Sequence, residues 1–340
     1  MMKKPTRIEA GSYYTYLSEG CKLCRRGAKL VLFVTGLCPN SCFYCPISDE
    51  RKGKDITFAN ERLVKSEEDL LEEIELMSAE GASITGGEPL YVPEKTLRFA
   101  KLLKDLDLHI HLYTSLPASE RTLEKLSFID EIRFHPVKPL ELYEEPVRVA
   151  KKLGMEVGIE IPALKFDERL AEFVNSHDIF MNLNELEFSA TNQDELLRRG
   201  FEPGEFFEAK GCGEIAEKYL ESVEKFHYCT VLFKDKAQMR RRFIRMAMNH
   251  PEFYAVTRDG TLLCGCVECS SGELDHLLSL LDRKGVYERS IFESDGLYVV
   301  EFSPEEAERL SEVLKAEGFR VSIVERYPTA SRVVVERAPL

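Results

Sequence analysis

Val31-Leu-Phe-Val-Thr-Gly36-Leu-Cys38-Pro-Asn-Ser-Cys42-Phe-Tyr44-Cys45-Pro46 is the stretch whose reading decides the fold. The apolar run from Lys29 to Thr35 reads as a β-strand that ends at Gly36, and three thiols follow at once. Three thiolates in this spacing can hold three corners of a [4Fe–4S] cube. Four cysteines complete such a cluster, so three leave one iron open to a small molecule. Zinc is the competing use of clustered cysteines, but a structural zinc site takes four ligands, and the fourth would have to come from elsewhere in the chain. Further along, Ser83-Ile-Thr-Gly86-Gly87-Glu88-Pro89 closes a second strand. A glycine pair at a strand end lets backbone approach a ligand closely, and Glu88 can anchor the turn by accepting hydrogen bonds.

The spacing of Cys38, Cys42 and Cys45, with Tyr44 just before the last thiol, resembles one signature of the radical S-adenosylmethionine (SAM) superfamily; Gly86-Gly87-Glu88-Pro89 resembles another. The likeness covers about residues 29–190. It implies that the three cysteines ligate a [4Fe–4S] cluster and that SAM chelates the open iron. It implies further that Gly86, Gly87, Glu88 and Pro89 position the methionine amine and that Tyr44 flanks the adenine. Ser115 becomes a candidate for a ribose or carboxylate contact, and Glu160 and Glu187 candidates to face SAM or substrate. The implied chemistry is reductive cleavage of SAM to a 5′-deoxyadenosyl radical that abstracts hydrogen from a C–H bond. The electron comes from a low-potential donor of the ferredoxin or flavodoxin type. Within the superfamily the chain loosely resembles prokaryotic proteins grouped with pyruvate formate-lyase activating enzymes and with the molybdenum-cofactor cyclase. The reaction class transfers from such a likeness; the substrate does not.

Outward from the motifs, strand and helix signals alternate. β-like runs fall near 29–35, 81–85, 108–114, 130–135, 155–161 and 184–189, with helical patterns near 66–77, 93–106, 119–127, 140–153 and 167–176. Six β-then-α repeats predict an α/β fold with a parallel sheet and right-handed crossovers. Six is short of the eight of a closed barrel; the resemblance implies a partial (β/α)6 TIM-like barrel. The expected organisation is an N-terminal segment at 1–28, the radical SAM core at 29–200, a Cys-rich and basic extension at 201–272, and a small C-terminal α/β domain at 273–340.

Seven further cysteines lie outside the motif. Cys21 and Cys24 form one Cys-x-x-Cys pair, Cys266 and Cys269 another, with Cys212, Cys229 and Cys264 besides. Two such pairs can build a tetrathiolate zinc site or hold an auxiliary iron–sulfur cluster, and sulfur ligation alone does not choose between them. Arg133 and His135 alternate on the fourth strand and so share a face. A barrel-interior Arg and His would suit an anionic or polar substrate, which makes them candidate catalytic residues; a satisfied structural pair is the alternative.

No apolar run reaches the ~20 residues that span a bilayer, and no apolar core follows Met1-Met-Lys-Lys-Pro-Thr-Arg7, as a secretory leader would require. The expectation is a cytoplasmic protein, whose thiols stay reduced. The net charge of −13 speaks against general nucleic-acid binding. Against that trend, Lys234, Lys236, Arg240, Arg241, Arg242 and Arg245 crowd one segment. It reads either as a solvated helix face or as a phosphate- or carboxylate-binding surface. Protein and tRNA both stay open as substrates, beside a small molecule and a non-catalytic iron–sulfur scaffold.

Overall fold

The computed structural model describes residues 4–340; the first three residues of the N-terminal segment lie outside it. The described residues divide into two compact units, one of residues 4–75 and 79–239, the other of residues 76–78 and 240–340.

Seven parallel strands build the first unit: β1 (Lys29–Phe33), β2 (Gly81–Thr85), β3 (His109–Thr114), β4 (Glu131–Phe134), β5 (Glu156–Pro162), β6 (Phe180–Asn184) and β7 (Phe226–Cys229). Each pairs with the next in chain order. Helices carry the crossovers, among them α2 (Glu67–Leu76), α3 (Pro93–Asp105), α4 (Glu120–Lys125), α5 (Glu144–Lys152) and α6 (Glu168–Ser176). The barrel does not close. β1 pairs on its free side with the short strand Phe58–Ala59, and β7 with Tyr13–Tyr14. These short antiparallel strands cover both edges, which would otherwise expose unpaired backbone.

Side chains alternate between the two faces of each strand. Leu30, Leu32, Ala82, Ile84, Ile110, Leu112, Ile132 and Phe134 are all fully buried and form the apolar outer face beneath the helices. The inner face is polar, with Lys29, His111, Arg133, Glu160, Asn182 and His227. α1 (Glu19–Arg25), capped by the Ser18 hydroxyl, packs against β1, β2 and β3.

Two expectations need correction. The sixth strand is 180–184, not 184–189, because Asn182 and Asn184 face inward and break the apolar run that marks a buried strand. A seventh strand went unread: in Phe226-His-Tyr-Cys229 only two residues face the outer core, too few to stand out.

The second unit is an antiparallel sheet. Its order is β9 (Ser290–Ser294), β10 (Leu297–Phe302), β8 (Leu262–Cys269), β11 (Val321–Arg326) and β12 (Val334–Pro339). Here β8 is the central strand, hydrogen-bonded to β10 and β11. The segment expected as one Cys-rich extension therefore divides. Residues 201–239 belong with the barrel and 240–272 with the second sheet.

Candidate active site

Residues 36–54 form a loop pinched at its base. Gly36 donates its N–H to the Lys54 carbonyl at 2.8 Å, and Gly53 donates to the Gly36 carbonyl at 2.9 Å. A Cβ on Gly36 would lie 1.7 Å from the Arg51 carbonyl oxygen, so only glycine permits this closure. Cys38, Cys42 and Cys45 ride on the loop as free thiols, Cys38 exposed and the other two half-buried. The Asn40 N–H points at Cys38 Sγ from 3.4 Å. Three accessible thiols on one backbone-fixed loop, without a fourth, suit a [4Fe–4S] cluster that leaves one iron open.

Gly86-Gly87-Glu88 secures the entrance to that loop. Gly87 donates to the Thr35 carbonyl at 2.6 Å and Glu88 to the Leu37 carbonyl at 2.8 Å, directly before Cys38. Gly86 has φ +151°, and a Cβ there would meet the Thr35 oxygen at 2.4 Å; one on Gly87 would meet the Leu37 oxygen at 2.4 Å. The glycine pair thus admits the β1 extension. The Glu88 carboxylate, 1% exposed, accepts from the Leu90 N–H (3.0 Å), Thr114 Oγ1 (2.7 Å), the Ser115 N–H (2.7 Å) and Ser115 Oγ (2.5 Å). Pro89 is buried and opens a short 3-10 turn. Asn40 Nδ2 donates to Ser115 Oγ at 2.7 Å. Ser115, a candidate for a ribose or carboxylate contact, bridges the Glu88 turn and the cysteine loop.

Tyr44 is held from the barrel side. His135 Nδ1 lies 2.8 Å from the Glu160 carbonyl oxygen and Nε2 lies 2.8 Å from Tyr44 Oη. A carbonyl only accepts, so Nδ1 carries the proton and Tyr44 O–H donates to Nε2. Burial lowers the His135 pKa, in keeping with this neutral tautomer. His135 is therefore a positioning residue for the cysteine loop.

Arg133 has no donor left for a substrate. Nε binds Glu131; Nη1 binds Tyr113 Oη (3.0 Å) and Glu160 (2.6 Å); Nη2 binds Ser18 Oγ (3.0 Å) and Cys21 Sγ (3.3 Å). A guanidinium has five N–H groups, and all five are engaged in a side chain that is 1% exposed. The expected catalytic Arg133 is a structural hub. Glu160 also accepts from Asn182 and Asn184, each at 2.7 Å. Burial alone would raise its pKa, but Arg133 and the two amides outweigh that and hold it at about 2. Glu187, expected on the sixth strand, lies past that strand's end.

Cys266 and Cys269 do not converge as a pair. Cys21 and Cys24 lie on α1 in the first unit, while Cys266 and Cys269 lie on β8 in the second. Three residues apart on a strand, Cys266 and Cys269 face opposite ways. Cys266 packs with Cys264, Phe253, Tyr254 and Val324, and Cys269 with Leu277, Leu280 and Leu281. Both sets are apolar, and burial raises the pKa of each thiol. These are core residues. Within the basic run, Lys234 is half-buried, Lys236 and Arg240 are exposed, and Arg240 donates to the Arg258 carbonyl at 2.6 Å.

Sequence reasoning missed the residues that grip the far side of the loop. Asn192 Nδ2 donates to the Tyr44 carbonyl at 3.0 Å, Phe43 stacks on Phe201 with centroids 6.3 Å apart, and the Arg199 guanidinium lies 4.1 Å from the Phe43 ring centroid. Phe43, inside the motif, was their only signal.

Comparison with known proteins agrees with this geometry. The radical SAM superfamily model matches residues 32–136, and a domain of unknown function matches residues 260–340. A Methanocaldococcus jannaschii protein named "Putative glycyl-radical enzyme activating enzyme" is 38% identical over 354 residues, covering 95% of this chain and 93% of its own. Among solved structures, the radical SAM methyltransferase TsrM from Kitasatospora setae aligns with TM-score 0.38 and 12% identity, over 76% of this chain and 58% of that one. Streptococcus suis SuiB aligns with TM-score 0.39 and 17% identity, over 62% and 53%. The chain spans less than two thirds of either solved protein. With a near full-length relative and the cysteine loop in place, the chain belongs to the radical SAM superfamily of enzymes.

Proposed function

We propose that this protein is an activating enzyme that takes a hydrogen atom from the polypeptide of a partner protein. The cysteine loop would hold the [4Fe–4S] cluster through Cys38, Cys42 and Cys45. Reduced by a low-potential donor, that group would supply the electron for cleavage of SAM to methionine and a 5′-deoxyadenosyl radical. The chain's own residues do the rest. Gly86, Gly87 and Glu88 fix where Cys38 begins, Ser115 and Asn40 tie the loop to β3, and His135 and Asn192 hold Tyr44 from either side. A loop anchored at so many points would hold such a cofactor in one orientation, which is the protein's part in this chemistry.

The observation that carries the substrate class is the activating-enzyme name of a relative that matches nearly the whole chain. The filled donors of Arg133 support it, since they leave no free interior cation on β4 for a small anionic substrate. The test is anaerobic. The reduced protein is given SAM with protein, RNA or metabolite fractions of cells, and 5′-deoxyadenosine is counted. Stimulation by the protein fraction, lost on protease treatment, is expected. Stimulation by RNA or metabolites alone would overturn the reading.

A further inference from the structure

Away from the cysteine loop, the first unit carries a cavity of about 540 Å³ whose lining includes four carboxylates, Glu185, Glu208, Glu214 and Glu217, with Arg7 and Tyr13. Its volume lies in the range of small-ligand clefts. Glu185 directly follows the last residue of β6, and Thr230, also in the lining, directly follows β7. That part of the lining stands at the C-terminal ends of β6 and β7, while Tyr228 lines the cavity from the outer face of β7.

Two of the acids are committed. Glu185 accepts from Tyr228 O–H at 2.6 Å and from the Val231 N–H at 2.8 Å, and Glu208 accepts from the Phe206 N–H at 2.8 Å. The other two are less tied. Glu217, half-exposed, meets Arg7 at a loose 3.5 Å, and Glu214 has no ion-pair partner among the described residues.

Tyr13 supplies an independent observation. It is only 3% exposed, packed on Tyr228 with centroids 5.4 Å apart, and the Glu217 carboxylate lies near its hydroxyl, yet no hydrogen bond of good geometry closes on that hydroxyl among the described residues. A buried hydroxyl without a partner costs free energy unless something occupies the space before it. What that occupant resembles is visible in the chain itself. The Arg7 guanidinium lies 5.0 Å from the Tyr13 ring centroid while reaching Glu217. Carboxylates beside an aromatic face suit a planar, delocalised cation better than a compact hydrated one.

We propose that this acidic pocket seats an arginine side chain of the polypeptide substrate, with Arg7 as the internal guanidinium that the substrate displaces. The inference rests on the protein-substrate reading above. In the complex the incoming guanidinium lies against Tyr13, accepts nothing, and donates to Glu214, Glu217 and the Tyr13 hydroxyl oxygen.

The test titrates Nα-acetyl-argininamide into the full chain, anaerobically and at low salt, by calorimetry. Saturable binding is expected, with none for the neutral citrulline analogue. The Glu214→Gln/Glu217→Gln double variant should weaken binding at least about fivefold, as loss of charge-assisted bonds does. Arg7→Ser should tighten it about threefold by removing an exposed ion-pair competitor. Equal binding of citrulline, no saturable binding, an unchanged double variant, or weaker binding by Arg7→Ser would each overturn the proposal. Unfolding midpoints check that the variants fold. Formation of 5′-deoxyadenosine without substrate is read alongside and should persist in the double variant. Failure of that cleavage in the wild type would sink the activating-enzyme reading and not arginine binding; failure of arginine binding with cleavage intact would sink only the pocket.

Discussion

Exchanging Glu88 for glutamine tests whether the Gly-Gly-Glu-Pro turn holds a ligand or holds the protein. Its carboxylate accepts four hydrogen bonds, two at each oxygen, and each oxygen receives one backbone N–H: Leu90 at Oε1 and Ser115 at Oε2. An amide turned either way puts an NH₂ against one of them. The hydroxyls can rotate, but the backbone N–H cannot, so one buried donor is left unpaired. That costs about 1–3 kcal/mol. With the NH₂ at the Oε2 side, Ser115 Oγ would also have to stop donating and start accepting, although Asn40 Nδ2 already donates to it, so the disturbance reaches the cysteine loop.

Taking about 2 kcal/mol, the unfolding midpoint of a domain of this size falls by roughly 4–8 °C. The assay is calorimetry without SAM, reading the transition that the variant moves, because two units need not melt as one. Iron retention after anaerobic reconstitution is measured in parallel, and both should fall. If Glu88→Gln melts like the wild type without SAM and loses only SAM affinity, the carboxylate serves the ligand directly and the structural argument is wrong.

Other consequences follow from single contacts. Gly20→Ala places a Cβ 2.5 Å from His111 Nδ1, 2.8 Å from Glu131 Oε2 and 2.9 Å from Arg133 Nη2; overpacking of this kind costs about 1–3 kcal/mol, and an unchanged denaturation midpoint would refute the packing of α1. Glu160, held at about 2 when folded, ionises more readily than in the unfolded chain at about 4.3. Its contribution to stability is complete above that unfolded value and drains away as pH falls toward 2, so Glu160→Gln should flatten this part of the stability–pH curve. His227, pushed down to about 3 by burial and then by Arg133, stabilises the fold above an unfolded value of about 6.5 and loses that contribution as pH falls. His227→Gln should remove up to one proton from the slope between those values. Changing Cys264, Cys266 and Cys269 together to alanine should lower stability and leave iron, sulfide and zinc content unchanged, whereas changing Cys38, Cys42 and Cys45 should abolish iron. Iron that survived the second triple variant would mean that other thiols hold a cluster.

The strands that carry the motifs were legible because their outer faces are continuous apolar positions and glycines end them: Leu30, Leu32 and Val34 before Gly36, Ala82 and Ile84 before Gly86. What was not legible has one physical cause. The barrel interior is polar, so the residues that face it look like surface residues in a sequence. Asn182 and Asn184 disguised β6, and His227 and Cys229 disguised β7. Arg133 was read correctly as inward-facing but wrongly as available, because the partners that fill it come from α1, β3, β4 and β5, far apart in sequence. Cys266 and Cys269 misled for the opposite reason. Cys-x-x-Cys suggests ligands when the local structure is unknown, but on a strand that spacing separates the two thiols onto opposite faces, and β8 buries both.

The same interior bears on where specificity must come from. Lys29 and Arg133 face Glu131 and Glu160 inside the barrel, two charges of each sign, all buried or nearly so. Breaking one member of such a network leaves a charge unpaired out of water, at a cost of several kcal/mol. A substrate that recruited Arg133 or Glu160 would have to meet that cost from its own binding energy, while gaining only what the network already has. The barrel wall is thus better suited to holding its shape against a reactive radical than to selecting what the radical meets. Selection then falls to the rim, where side chains still have unmet demands. Tyr13 with its poorly satisfied hydroxyl, Glu214 without an ion-pair partner among the described residues and the loosely held Arg7 form one such place, part of which stands at the C-terminal ends of β6 and β7.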